Sequence, residues 1–138
     1  MSQSVKHVIL SLGFSAASDM SAGSGGTGPN TSFQYTAVKL TSTAWQVDKA
    51  GTSAAIGILN NQPKAGSAAE VVLEGVSQMI VDGNAGAIAP NDRLTTNAAG
   101  EGIKDTTDKH RYIAIALEAS TAAHDQISVL VVRGDLSL

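Results

Sequence analysis

The sequence predicts an all-β domain, either a compact β-barrel or a β-sandwich of the β-tulip-like kind. Short aliphatic runs recur between turns rich in glycine, asparagine and aspartate, and no stretch shows the apolar periodicity of a three-turn amphipathic helix. Hydrophobic residues make up 43% of the chain but aromatic residues only 4%, so Ala, Val, Ile and Leu must fill the core. We therefore expect about ten short strands and little helix.

The N-terminal region is expected to contain a strand and a flexible connection. Residues 4–12 are apolar on both faces, which indicates a strand that finds a partner in the same fold or in another chain. A signal peptide is the weaker interpretation, because the charged region is small and the apolar run is interrupted. Residues 15–32 are rich in Gly and Ser and should be mobile unless a partner fixes them. They do not fit a phosphate-binding loop, since no Lys-Ser or Lys-Thr follows. These features predict a strand and tether over 1–31 and a β-rich domain over 32–138.

The next strands are predicted from their aliphatic content and the turns between them. Residues 33–40 and 45–47 should form a hairpin, and residues 54–59 the next strand, before a turn-rich loop. AAEVVLE and GVSQMIVD are predicted as two strands separated by Gly75. Trp45 is predicted to be a core residue rather than a sugar-binding platform.

The C-terminal third continues the same pattern. DRLTT and IKD should pair across the NAAGEG turn, and the polar residues 106–111 should form an exposed loop. In YIAIAL, the alternation predicts Ile113, Ile115 and Leu117 on the core side. Residues 127–133 are apolar on both faces and should form a central strand.

The sequence offers few groups for chemistry. The absence of cysteine excludes a disulfide, a thiolate metal site and a cysteine nucleophile. His7, His110 and His124 do not lie at metal-ligand spacing from one another. His124, beside Asp125 and near Ser120, is better explained as part of a turn than as part of a hydrolase triad, because no Gly-x-Ser-x-Gly motif is present. We expect no catalytic residue, no metal, no cofactor and no enzyme activity.

Charge and hydropathy also restrict the partners. The formal net charge is -3 and the basic residues are scattered singly, which disfavours direct nucleic-acid binding. No apolar run reaches the roughly 18 to 20 residues that a membrane-spanning helix needs. A core of small side chains in a domain of this size makes oligomerisation a natural supplement.

From Tyr35 onward the chain resembles the small capsid decoration proteins of tailed phages, also called cement or head-stabilising proteins. The resemblance rests on IGIL (56–59), the loop NQPKAG, the segment from Val71 to Gly75, AIAPNDRLTTNAAG (87–100), and IAIALEAS followed by ISVLVV. The sequence departs from the usual pattern at Asn91 and Ala114, where family members commonly have glycine. The motifs are structural rather than catalytic.

This resemblance implies a β-rich knob on the outer surface of an icosahedral head, in a virion whose proteins are made in the host cytoplasm. It further implies a homotrimer that bridges major capsid proteins and stabilises the capsid. The contact to the capsid would then fall to Val5, His7, Ile9 and Phe14 and to the glycine-rich tether. Deletion of residues 1–30 is expected to leave a folded core that no longer binds capsids.

Two other classes of function compete with this interpretation. A carbohydrate-binding or adhesin-like module on a virion or cell surface would be favoured if Trp45, Tyr35 and Tyr112 were exposed and coplanar. A small hydrolase or isomerase would require a cleft with a strongly perturbed carboxylate.

Overall fold

The computed structural model describes residues 7–106 and 111–135, and for residues 7–9 and 135 it describes the backbone only. Over this part of the chain the fold is all-β, as predicted, with nine strands and one short 3-10 turn at Pro29–Thr31. The strands are β1 (His7–Ala16), β2 (Ala37–Leu40), β3 (Gln46–Lys49), β4 (Gly57–Leu59), β5 (Ala68–Val81), β6 (Arg93–Thr96), β7 (Gly102–Lys104), β8 (Arg111–Ala116) and β9 (Asp125–Asp135).

The strands form two closed circuits that share β5. The first barrel runs through β1, β3, β2, β4 and β5, which pairs back to β1, and the second circuit runs through β5, β7, β6, β8 and β9, which pairs back to β5. β5 is long enough to serve both, because β1 pairs along its first part and β9 along its second part. Closing a sheet on itself removes free edges, so most strands have a neighbour on both sides.

Strands β2, β4 and β5 form a wall between two hydrophobic cores. Val38, Leu59 and Val71 point into the core of the first barrel. Their chain neighbours on the same strands, among them Ile58 and Val72, point into the core of the second circuit. Successive side chains of a strand alternate between faces, so a strand covered on both faces must be apolar throughout. This explains the continuous aliphatic runs in the sequence.

The predicted hairpins are confirmed. β2 pairs antiparallel with β3, and β6 pairs antiparallel with β7 across the NAAGEG turn. β9 lies between β5 and β8, which confirms the central strand predicted over 127–133. Asn91, where the resemblance leads us to expect glycine, has a φ of 80° and so occupies the left-handed region that glycine favours.

Several details of the strand predictions are wrong, and the strand predicted over 33–40 begins only at Ala37. Gly75 does not end a strand, since β5 continues from Ala68 to Val81 through this residue, whose φ is 114°. Gly75 pairs with both β1 and β9, so it lies where β5 passes from one circuit to the other. In β8, a register shift after Tyr112 interrupts the alternation. Ala114 is therefore buried, while Leu117 is 44% exposed.

The predicted N-terminal strand and tether are both joined to the domain. β1 pairs with β5 and carries Phe14 and Ala16 into the core of the first barrel. The segment 17–36 doubles back on itself, with the Gly23 amide donating to the Asn30 carbonyl, and Met20 is completely buried in the same core. The sequence expectation of a mobile tether missed this anchor. The division at residue 31 stays a prediction, but deletion of residues 1–30 would remove core side chains.

Candidate functional site

An exposed apolar groove lies at the mouth of the first barrel. Leu40 ends β2, Trp45 immediately precedes β3 and Ile56 immediately precedes β4, so all three lie at the same end of the barrel. The groove has a volume of about 650 Å³. We call it the mouth groove; it is lined by Phe14, Leu40, Trp45, Ala54, Ala55, Ile56, Leu73, Arg111 and Arg133.

Trp45 is the most prominent residue of the mouth groove. Its side chain is 66% exposed, so the prediction that Trp45 is a core residue is wrong. One side of its ring contacts Phe14, with ring centroids 5.5 Å apart. Phe14 is only 9% exposed and belongs to the core, so it supports the indole from below. Exposure of so much aromatic surface is typical of a residue that a partner covers.

The backbone around the β2–β3 turn holds Trp45 in this position. Trp45 has a φ of 57°, an uncommon conformation for a bulky residue. Its carbonyl accepts a hydrogen bond from the Ser15 amide at 2.8 Å, which ties the turn to β1. The Thr41 hydroxyl donates to the Gln46 side chain at 2.7 Å and accepts from the Thr43 amide at 3.1 Å. The exposed ring is thus carried on a well-bonded turn.

Two arginines give one side of the groove a positive charge. Arg111 begins β8 and is exposed, and Arg133 lies near the end of β9. The Arg133 guanidinium donates to the Ile56 carbonyl, which connects the second circuit to the loop before β4. The lining contains no carboxylate. The groove therefore combines apolar surface with two arginines and has no carboxylate among its own lining residues.

The predicted capsid-contact residues lie on or before β1. Val5 lies outside the described residues. His7 and Ile9 lie on the backbone of β1, where His7 pairs with Val76 of β5. Phe14 is the predicted contact residue that lines the mouth groove. The sequence reasoning missed Leu40, Arg111 and Arg133, because the fold brings them together from distant parts of the chain.

The polar residues that a hydrolase triad would require form structural hydrogen bonds instead. The Ser120 hydroxyl donates to Asp125 at 2.8 Å, while His124 Nδ1 lies 2.5 Å from the Glu101 carboxylate. His124 is thus paired with Glu101 rather than with Ser120, a long-range contact that the turn interpretation did not include. His110 lies outside the described residues. Within residues 7–106 and 111–135, no three His, Asp or Glu side chains lie close enough to hold a metal ion.

The pair of Glu101 and His124 connects two loops of the second circuit. Burial alone raises the pKa of Glu101, but hydrogen bonds from Asn97 and His124 outweigh this effect and hold its pKa below the ordinary value of 4.5. The hydrogen bond to Glu101, helped by its negative charge, raises the pKa of His124 above 6.5. The Glu101 side chain is 2% exposed and that of His124 is 59% exposed. An exposed imidazole thus pairs with a buried carboxylate and joins the two loops.

The aromatic residues proposed as a glycan platform do not gather in one place. Trp45 lines the mouth groove, but Tyr35 and Tyr112 do not line it and are only partly exposed. The Tyr112 ring packs over Gly134 of the neighbouring strand β9. The Arg93 guanidinium lies over the same ring, 5.8 Å from its centroid. In the described part of the chain, no helix is long and apolar enough to cross a membrane.

Comparison with known proteins identifies the class. The family model of phage cement proteins matches residues 26–132, so this chain belongs to the phage cement protein family. It is therefore a structural protein of a phage head that associates with the capsid. The search of curated proteins finds no match.

A solved structure has the same fold. It is the N base of the head fiber gp8.5 of bacteriophage phi29, with a TM-score of 0.62 and 14% sequence identity. The alignment covers 94% of this chain and 98% of the phi29 chain. At this identity the likeness shows a shared fold alone.

Proposed function

We propose that this chain is a decoration protein that binds the outer surface of the phage head and bridges neighbouring major capsid proteins. The observation that carries the proposal is the mouth groove of a cement-family chain, where Trp45 and Leu40 hold large apolar surfaces in water. Burial of such surface against a partner gains roughly 25 cal/mol per Å². A cement protein that covers this groove on the capsid would gain binding energy from it.

The mechanism is stabilisation by preferential binding. A protein that binds the expanded, assembled lattice and not the separated subunits lowers the free energy of the lattice, and each added copy contributes again. Bridging requires that one decoration unit contact more than one capsid protein. A homotrimer supplies such a unit, because each of its copies presents the same mouth groove.

No enzyme activity is part of the proposal. The mouth groove is lined by aliphatic and aromatic side chains and two arginines, which supply no nucleophile and no general base. The buried carboxylate of Glu101 is occupied by Asn97 and His124. These groups are arranged for structure and binding.

The test is binding to expanded, undecorated heads. We expect the purified chain to sediment with such heads at saturable stoichiometry, and the decorated heads to resist heating better than bare ones. Analytical ultracentrifugation of the free protein should show a trimer. A chain that stays in the supernatant at all head concentrations would refute the proposal.

A carbohydrate-binding or adhesin-like role is the second candidate, favoured only by the exposure of Trp45. Sugar-binding sites combine an aromatic platform with polar groups that fix the hydroxyls. The mouth groove offers the arginines but no amide or carboxylate side chain for this purpose. Glycan binding that is lost in Trp45→Ala would support this second candidate.

A further inference from the structure

The strand β1 has one open edge beside the mouth groove. Among the described residues, β1 pairs with β5 along its length but with β3 only at Ser15 and Ala16. From His7 to Phe14, therefore, one side of β1 has no neighbouring strand in the part of the chain that the structure describes. An open edge of this kind presents backbone donors and acceptors to any extended chain that approaches it.

The hydrogen bonds at the end of β1 show which residues face the open edge. The Ala16 amide donates toward β5, to the Ser67 carbonyl at 2.9 Å, and the Ser15 amide donates the other way, to the Trp45 carbonyl at 2.8 Å. Backbone groups of an antiparallel pair alternate in direction along the strand. Gly13, two residues before Ser15 and paired in register with Glu70, therefore directs its N–H and C=O toward the open edge.

The surroundings of this edge are apolar. Leu10 and Leu12 of β1 are among the most exposed large hydrophobic residues, as are Trp45 and Leu40 at the mouth groove. A side chain added at Gly13 would meet nothing within 4 Å, so the face of β1 opposite Phe14 is uncovered beside this edge. The pairing of β1 with β3 stops at Ser15. A strand added to β1 before this point would lie beside the exposed ring of Trp45.

The charge of the mouth groove indicates what the added strand carries. Arg111 and Arg133 are the charged residues of the lining, and no carboxylate of the lining neutralises them. A carboxylate beside an arginine forms a charge-assisted hydrogen bond, which is stronger than a neutral one. An acidic residue next to an apolar one is therefore the sequence that fits both parts of the groove.

We infer that β1 and the mouth groove form one acceptor site for an extended segment of the capsid protein. The segment adds as a strand to the open edge at Gly13, places an apolar side chain beside Trp45 and Phe14, and directs an acidic side chain to Arg111 and Arg133. This inference rests on the proposed function, since it names the part of the capsid protein that the chain binds. It gives β1 the role of an acceptor strand.

The decisive variants change the open edge and leave the rest of the strand. Gly13→Pro removes the N–H that faces the edge, and proline is tolerated on edge strands because no ladder bond is lost there. Gly13→Val is the matched control, since it adds a side chain at the same position but keeps the donor. Both variants should melt close to the wild type. We expect Gly13→Pro to weaken binding to expanded heads about tenfold, and clearly more than Gly13→Val, which keeps the donor.

A second pair of variants tests the charge. Arg111→Ala should weaken head binding and reduce its dependence on salt, whereas Lys64→Ala, an equal change of charge at an exposed residue outside the groove, should leave both unchanged. Equal effects of the two variants would show a general charge effect and would contradict the acidic segment.

Hydrogen exchange of the wild-type chain gives a test that needs no variant. On binding heads, the amide of Gly13 should become protected, while the amide of Ala16, already bonded to Ser67, should change little. Two results would overturn the docking mode but leave the proposed function intact. One is a folded Gly13→Pro variant that binds heads with wild-type affinity, and the other is a Gly13 amide that stays unprotected in the bound protein. Failure of the wild-type chain to bind heads instead refutes the proposed function itself.

Discussion

Replacement of Met20 by alanine should lower the stability of the whole domain. Met20 lies in the segment between β1 and β2 that the sequence presents as a tether, yet its side chain is completely buried. Its amide donates to the Pro63 carbonyl at 2.9 Å and its carbonyl accepts from the Phe33 amide at 3.1 Å. The backbone is thus fixed on both sides, so neighbouring atoms cannot easily collapse into the space that the mutation leaves.

The size of the effect follows from the atoms removed. Met20→Ala deletes three heavy atoms, which at about 0.8 kcal/mol for each buried methylene-sized group gives about 2.4 kcal/mol before any cavity cost. Buried Met→Ala changes span about 2–5 kcal/mol, so we expect about 3 kcal/mol. For a domain of this length that corresponds to a fall in Tm of roughly 10 °C.

Urea denaturation followed by circular dichroism measures this difference directly. Ala22→Ser, at an exposed position of the same segment, is the control and should stay within about 0.5 kcal/mol of the wild type. If Met20→Ala proved as stable as Ala22→Ser, the segment would contribute nothing to the core. The tether interpretation of the sequence would then be the correct one.

Three further predictions concern the turns, the pH dependence and the groove. Gly26→Ala should destabilise the domain by about 2–4 kcal/mol, because its Cβ would meet the backbone of residue 32. Gly13→Ala is the control, since a Cβ at Gly13 meets open space, and chemical denaturation measures the stability of both variants. Glu101 has a lowered pKa and contributes stability above pH 4.5, while His124 has a raised pKa and contributes stability below pH 6.5. The difference in unfolding free energy between wild type and Glu101→Gln, here called the stability gap, should therefore be widest between these two pH values. The gap should shrink as pH rises through the folded pKa of His124, and a gap that instead grew toward alkaline pH would contradict the pairing. Trp45→Ala should weaken head binding at least tenfold with a Tm within a few degrees of wild type, and a large loss of Tm would mean that Trp45 acts in the core.

Local patterns predicted much of the fold. The β2–β3 and β6–β7 hairpins followed from aliphatic runs joined by short polar turns, and both are present. Gly75 was misread because glycine usually marks a turn, whereas here it lets one strand bend from the first barrel into the second circuit. That role depends on long-range pairing, which a local pattern does not contain.

The candidate site was harder to predict than the fold. Trp45 was assigned to the core because tryptophan is usually well buried, although its place after the polar turn TSTA was a signal for a hairpin end. Met20, the one large apolar residue between Ala16 and Pro29, was the signal that the glycine-rich segment is anchored. Arg111 and Arg133 gave no local signal, because they reach the groove only after β8 and β9 pair with each other.

Electron cryo-microscopy of expanded heads saturated with this protein tests the central claim most directly. We predict ordered density for the chain on the outer surface, in contact with more than one capsid protein, with the mouth groove and the open edge of β1 covered by a capsid segment. Heads without added density, or bound copies whose Trp45 groove faces solvent, would contradict it.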